Sequence, residues 1–214
     1  MTSYDYFSIA YGALATVSLS LVSIVLGVPI GLGLALVRWS RFPILNQLVI
    51  GYVSVIRTCP TVTLALLVFY ALPVVGISLE PIPAGILTLT VSTAAFNTEI
   101  WRNALMIFPR DQYDAALTFG MRRALRFRRI VLPHIIHTSL PALVNEMTLQ
   151  VKATPAVAVI GIVEITRAAI RVGARTYEPL PPFIVALLLY SLIVLAFVRI
   201  QRTVERRYAL AGAH

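Results

Sequence analysis

Three histidines, one cysteine, one lysine and nine carboxylates bound the chemistry open to this 214-residue chain. His134 and His137 stand three apart and could share a metal, but no third ligand lies nearby in sequence and the remaining histidine is His214. No H-E-x-x-H pattern occurs. Cys59, being alone, builds neither a disulfide framework nor a Cys-rich metal site. The one lysine, Lys152, lacks the preceding glycines of a phosphate-cradling Gly-x4-Gly-Lys-Ser/Thr loop, so the chain cannot hydrolyse ATP by that route. A membrane-embedded hydrolase needs a nucleophile with its base, or a His-rich metal cluster. That reading has little support here. What remains is binding and docking by charge.

Those charges sit in an unusually apolar chain. Hydrophobic residues make up 58%, charged residues 13%, and the mean hydropathy is +0.85. A soluble domain is nearer half apolar and about a quarter charged, so this polypeptide cannot cover itself with polar surface. A single domain over 1–214 and a polytopic membrane protein are expected. The segment MTSYDYFSIA lacks the basic start of a cleavable signal peptide. Crossing a bilayer takes roughly 20 mostly apolar residues, and five stretches qualify: about 11–37, 44–72, 83–105, 136–160 and 182–200. The second is interrupted by Arg57 and Pro60, the third contains Glu99, and the fourth carries Glu146 and Lys152. No low-complexity linker or repeat separates them.

Each buried charge costs roughly 2.5–3.5 kcal/mol at a span centre, so it needs a partner or a cavity. Glu99 and Arg102 share a helical face and can pair. Glu99 either lines a pathway near an ammonium group or belongs to a structural pair. Arg57 either holds a carboxylate or caps the helix broken before Pro60. Glu146 and Lys152 stand about 240° apart around a helix and do not pair directly. Lys152 opens Lys-Ala-Thr154-Pro, a helix break whose freed backbone could meet a solute. In the first span, Gly27, Gly31 and Gly33 flank Pro29, offering either close helix packing or a hinge.

The net charge of +9 would suggest nucleic acid on a soluble protein. Here the basic residues lie between apolar runs, and membrane orientation is the better reading. One side would hold thirteen: Arg38 and Arg41, then Arg102, Arg110, Arg122, Arg123, Arg126, Arg128 and Arg129, then Arg199, Arg202, Arg206 and Arg207. The other would hold only Arg167, Arg171 and Arg175. This places the N-terminus outside and the C-terminus in the cytoplasm, as an odd number of spans requires.

The segment 108–133, FPRDQYDAALTFGMRRALRFRRIVLP, is far longer than a turn needs. Pro109 suits a helix start, with Asp111 and Asp114 near its positive end. Gly120 is a natural helix stop, after which a second short helix over about 121–131 would run to Pro133. Asp114-Ala115-Ala116-x3-Gly120-x9-Ile130-x-Leu132-Pro133 resembles the coupling-loop motif of ABC importer permeases, E-A-A-x3-G-x9-I-x-L-P, with Asp for the first Glu.

Nearly the whole chain resembles the polar amino-acid branch of that family. The matching stretches are Tyr52–Pro60, Glu99-x-x-Arg102 with Pro109-x-x-Gln112, Leu149–Thr154 and Ile160–Thr166. Thr58, Asp111, Pro155 and His134 depart from the usual Gly, Gly, Ser and Gln.

The resemblance implies an all-α polytopic membrane protein with five transmembrane helices and a cytoplasmic coupling-helix loop. It would be a non-catalytic permease subunit in a bacterial cytoplasmic membrane, without a cofactor of its own. ATP and Mg would sit on P-loop ATPase subunits in trans, and a second permease chain, identical or related, would complete the membrane core. An extracytoplasmic substrate-binding protein would deliver a polar amino acid. Asp114, Ala115, Ala116 and Gly120 would dock the ATPase, with Ile130, Leu132 and Pro133 anchoring the loop. Arg57, Glu99, Arg102, Glu146, Lys152 and Thr154 are candidate pathway residues. Glu164, Arg167, Arg171 and Arg175 would face the binding protein or, alternatively, form a solvated face. Another small solute such as an opine is the alternative cargo. A passive channel would leave the motif unexplained.

Overall fold

The computed structural model describes residues 2–40 and 42–211, so expectations resting on Arg41, on His214 and on the Arg206 and Arg207 side chains lie outside what is described. All regular structure among the described residues is helical. The elements are α1 (Ser3–Trp39), α2 (Pro43–Thr58), α3 (Thr61–Ala71), α4 (Pro81–Met106), α5 (Arg110–Thr118), α6 (Arg123–Arg126), α7 (Leu132–Ala153), α8 (Ile165–Thr176) and α9 (Leu180–Ala211). Short 3₁₀ segments follow α3 and α7, and a π turn over Phe127–Val131 joins α6 to α7.

Helix starts follow local chemistry. At the head of α1 the Thr2 amide donates to Asp5 Oδ2 at 2.6 Å, closing a capping box. Prolines open α2 and α4, where a missing N–H costs nothing. Pro60 instead ends a helix: it pushes Cys59 into extended backbone (ψ 128°). The expected interrupted span over 44–72 is therefore two helices bent by 113°.

Among the described residues, α1 and the Leu180–Ile200 part of α9 are each long and apolar enough to cross a bilayer. Two bent pairs qualify when joined: α2 with the run to Val75, and the run 123–160 with α8. Helix α4, which holds the span expected over 83–105, is not among the helices apolar enough to qualify. Its 26 residues carry Thr88, Thr90, Ser92, Thr93, Asn97 and Thr98, all buried. Polar side chains can sit there because α4 is the central post, with α1, α2, α3 and α7 around it. Thr88 and Thr98 donate back to the Ala84 and Ala94 carbonyls at 2.8 and 2.7 Å, satisfying themselves within the helix. Neighbours are tied on by side chains reaching backbone oxygens. Tyr52 donates to Val91 O at 2.7 Å and Gln150 to Leu89 O at 3.1 Å, while Trp101 of α4 donates to Val28 O at 3.2 Å.

The seam between α1 and α4 is built from absences. A Cβ on Gly27 would lie 2.7 Å from Thr93 Cγ2, and one on Gly31 would lie 2.8 Å from Asn97 Cβ. Of the two readings of the glycines, close packing is the one the geometry supports for Gly27 and Gly31. Gly33 meets nothing within 4 Å. Gly27 faces Thr93, Gly31 faces Asn97, and Ala35 shares a core with Trp101 and Ala104. Both sequences advance together, so α1 and α4 run parallel and end at the same face of the bundle.

Outward-facing residues are strongly apolar. Leu187, Leu188, Leu192 and Leu195 of α9 are each more than half exposed. Such a surface needs lipid or a partner chain over it.

Gly31→Val forces α1 off α4 and should lower stability by about 1–3 kcal/mol, read as an earlier thermal unfolding midpoint in detergent. Gly33→Ala should leave the midpoint unchanged or slightly raised. Equal losses in both variants would contradict the seam.

Candidate functional site

Helix α5 projects from the end of the bundle where α1 and α4 both finish. Pro109 precedes it and Asp111 sits in its first turn, against the positive end of the helix. Gly120, at φ +69°, closes it in the left-handed conformation that glycine adopts without penalty. The Met121 amide donates to Ala116 O (3.1 Å) and the Gly120 amide to Leu117 O (2.9 Å), the paired bonds of a Schellman cap. Two ring contacts fix the knob to its base. Phe108 meets His134 edge-on at 5.0 Å, and the Arg126 guanidinium lies 4.1 Å over the Tyr113 ring.

The expected docking residues divide. Asp114, Ala115 and Gly120 are exposed, whereas Ala116 is 3% exposed and faces inward against the protein's own core. Leu117 and Phe119, to which the coupling-loop pattern gives no docking role, are 56% and 87% exposed at the tip. Its place directly before the Gly120 helix stop is the sequence signal that puts Phe119 at the tip.

After Gly120 the chain forms no separate helix over 121–131. The short α6 passes through the π turn directly into α7, with the Leu132 amide donating to Phe127 O. This five-residue step precedes Pro133, which has no amide hydrogen to donate. The buried anchors are Val131 and Ile135, at 1% and 0% exposure. Ile130 and Leu132 are half-buried beside them, and Pro133 is exposed.

One carboxylate of α4 organises a second site. Glu99 pairs with Arg38 from α1 through Oε1 and accepts from Arg102 Nε at 2.8 Å through Oε2. The expected Glu99–Arg102 pair forms, and Arg38, assigned from sequence only to the charge balance, completes a triad. Beside it opens a cavity of about 460 Å³ lined by Arg38, Ser54, Arg57, Thr58, Phe96 and Glu99. Arg57 stands 5.2 Å over the Phe96 ring and, among the described residues, forms no ion pair with a carboxylate. A cation held over a ring inside a cavity can receive a carboxylate. Glu146, buried at 8% exposure, lies within range of the Arg57 charge.

Lys152 and Thr154 are not brought into this cavity. Lys152 is exposed, and the buried Thr154 hydroxyl donates to Val151 O at 2.7 Å. The backbone break expected after Lys152 appears as the 3₁₀ segment Thr154–Ile160.

The third group requires a correction. Glu164 is completely buried and cannot present itself to a docking protein. It caps α8, accepting from the Thr166 and Arg167 amides at 2.9 and 2.7 Å, and takes a further bond from Tyr190 Oη at 2.6 Å. Gly12 lets α1 approach this cap, since a Cβ there would lie 3.0 Å from the Glu164 carbonyl. Arg167 turns inward to donate to Ala158 O, and Arg175 pairs with the buried Asp5 beneath the Tyr4 ring. Of the four, Arg171 is the one exposed and, among the described residues, without an ion pair. His134 and His137 lie along α7, and no group of three or more potential metal ligands occurs among the described residues.

Residues 27–210 match the family model described as the inner membrane component of binding-protein-dependent transport systems. The chain belongs to that family. Its members are membrane components of transport systems rather than catalysts, and the family implies no cofactor bound by this chain itself. The histidine/lysine/arginine/ornithine transport system permease HisQ of Salmonella typhimurium is 32% identical, covering 94% of this chain and 93% of that one. The nopaline transport system permease NocM of Agrobacterium fabrum is 35% identical over 89% and 83%. The arginine transport system permease ArtQ of Bacillus subtilis is 31% identical over 92% and 90%. The crystal structure of an amino acid ABC transporter with histidines superposes with a TM-score of 0.85 at 30% identity, covering 94% of each chain. An inward-facing MetNI methionine ABC transporter shares the fold, with a TM-score of 0.79 at 20% identity.

Glu99→Gln leaves two arginines facing each other and should cost about 1.5–3 kcal/mol in unfolding free energy. Arg57→Gln loses the ring contact with Phe96 and the longer-range attraction to Glu146, without a paired hydrogen bond, and should cost about 1 kcal/mol. Comparing the two denaturation midpoints checks which cation is structural.

Proposed function

We propose that this chain is the permease of an ATP-binding-cassette importer for a polar amino acid in a bacterial inner membrane. Counting α4, enclosed by its neighbours, with the four apolar spans gives five, with an external N-terminus and a cytoplasmic C-terminus. Parallel α1 and α4 end together beside α5 and the arginine-rich segment, while Gly12, Asp5 and α8 gather at the opposite end. That segregation supports the positive-inside orientation.

The observation that carries the function is α5 itself, a rigid knob with Asp114, Ala115, Leu117 and Phe119 exposed. ATPase subunits in trans, holding ATP and Mg, would receive this knob in a cleft and drive it as they close. The 123–160 run would convey the motion to α8 and to the external face, exchanging access to the interior. A binding protein would deliver the solute there, with Arg171 its most available cation. A second permease chain, identical or related, would cover part of the apolar surface. Within the core, the Arg57 guanidinium suits a carboxylate and Glu146 an ammonium group, the two charges that every amino acid carries, while Glu99, the other candidate, is already matched by two guanidiniums. The nopaline permease relative keeps an opine as the second reading, because opines carry the same pair of groups.

Affinity purification in mild detergent from native membranes should recover a P-loop ATPase at one copy per permease chain. Its absence even after crosslinking near Gly120 would count against the machine. Gly120→Arg should abolish coupled uptake in proteoliposomes while membrane insertion stays intact. Normal uptake in that variant would remove α5 from the mechanism. Topology is checked in a Cys59→Ala background. Ser3→Cys should label from outside the cell, and Arg202→Cys only after the membrane is permeabilised.

A further inference from the structure

At the end of α1, a cavity of about 930 Å³ opens between that helix and the segment carrying α5 and α6. Leu36, Trp39, Phe42, Arg123, Arg126 and Phe127 are among its walls. Arg126 is its unusual member. Only 6% of the residue is exposed, yet among the described residues no carboxylate pairs with it. Nη2 donates to Tyr113 Oη at 2.8 Å, and Nη1 reaches the Met121 carbonyl at the outer limit of 3.5 Å. Nε is buried and makes no hydrogen bond. The Tyr113 ring stacks against the guanidinium and holds it in place.

A buried cation without a counter-ion is expensive unless something negative completes it. Here the cation is fixed and lines an open space beside a second arginine, Arg123, whose side chain is exposed. We propose that this cavity binds the headgroup phosphate of an anionic phospholipid.

The walls argue for a lipid over a soluble phosphate. Leu36, Trp39, Phe42 and Phe127 offer a small anion no partner, but they suit the upper carbons of an acyl chain. Trp39 and Phe42 are 43% and 65% exposed where α1 leaves its apolar run, the level at which aromatic side chains meet headgroups. Basic pockets between spanning helices at the cytoplasmic surface recognise acidic headgroups in general. The volume exceeds what a phosphate needs and suits a headgroup with the first part of its tails.

Because Tyr113 belongs to α5 and Arg126 to α6, a seated lipid braces the knob against α1. This site requires α1 to cross the membrane and is independent of what docks on α5.

The test uses the purified full-length permease in its native complex, in nanodiscs of phosphatidylcholine alone or mixed equally with phosphatidylglycerol. Native mass spectrometry reads which lipid stays bound after the disc is ejected. Phosphatidylglycerol should be retained preferentially. Removing one positive charge should reduce that preference roughly fivefold, the effect of one basic residue near a charged membrane surface. Arg126→Gln and Arg123→Gln should each do so, and Arg126→Lys should keep most of it. Arg123 is exposed, so its variant decides the matter if Arg126→Gln fails to fold. Equal retention of the two lipids by the unmodified protein would overturn the proposal, as would an unchanged preference in Arg123→Gln. Displacement by millimolar inorganic phosphate as efficient as by lipid would reassign the cavity to a soluble anion.

Discussion

The close approach of α1 to α4 is the constraint from which the rest of the molecule follows. Without side chains at Gly27 and Gly31, the two backbones come near enough for Thr93 and Asn97 to fill the gap. Helices in a membrane gain little from hiding apolar surface from one another, so such shape matching carries much of their association. The seam also fixes direction and register. It brings Arg38 to Glu99 and Trp101 to the Val28 carbonyl, and it leaves both helix ends at one face, where α5 and the basic segment stand. Move the seam by one turn and the charged triad comes apart with it.

The bundle is consequently polarised. One end is cationic and carries the exposed knob. The other is closed by acids that are not free: Asp5 holds Arg175, and Glu164 holds the start of α8 while Tyr190 of α9 donates to it. Between them lies the cavity with Arg57 over Phe96, bounded on one side by the Glu99 triad. The ends are linked by covalent structure as much as by packing. From Arg123 to Ile160 the backbone stays helical with no loop, its winding changing at the π turn and again at the 3₁₀ segment, and it bends into α8 by 54°. A displacement applied at α5 meets no slack loop along that run.

Much of this was readable in the residues, and the parts that were not share a physical cause. Small residues four apart announced the seam, the glycine stop of α5 was visible at Gly120, and Pro60 marked the break between α2 and α3. Local backbone preference decides each of those, so the sequence speaks directly. Side-chain direction is another matter. Glu164 looked like a surface acid among arginines, and only the fold reveals that it is the cap of α8 with Gly12 pressed against it. Arg38 looked like topology charge until α1 and α4 were aligned. Ala116 and Leu117 are neighbours of similar appearance on paper, yet one is buried and the other exposed. Which face of a short helix turns inward is a tertiary fact, and periodicity over nine residues is too brief to declare it.

The π turn ahead of Pro133 sets an angle. Relative to ordinary helical winding, a single π step inserts one extra residue, and one residue corresponds to about 100° of rotation about the axis. The number of residues between Gly120 and Pro133 is thus a phase setting. It decides which way the Phe119 tip points around the long axis of α7, much as the keyway on a shaft decides where a crank stands. A chain one residue shorter there could keep every helix and every side chain of the knob, and still point it a different way around the axis.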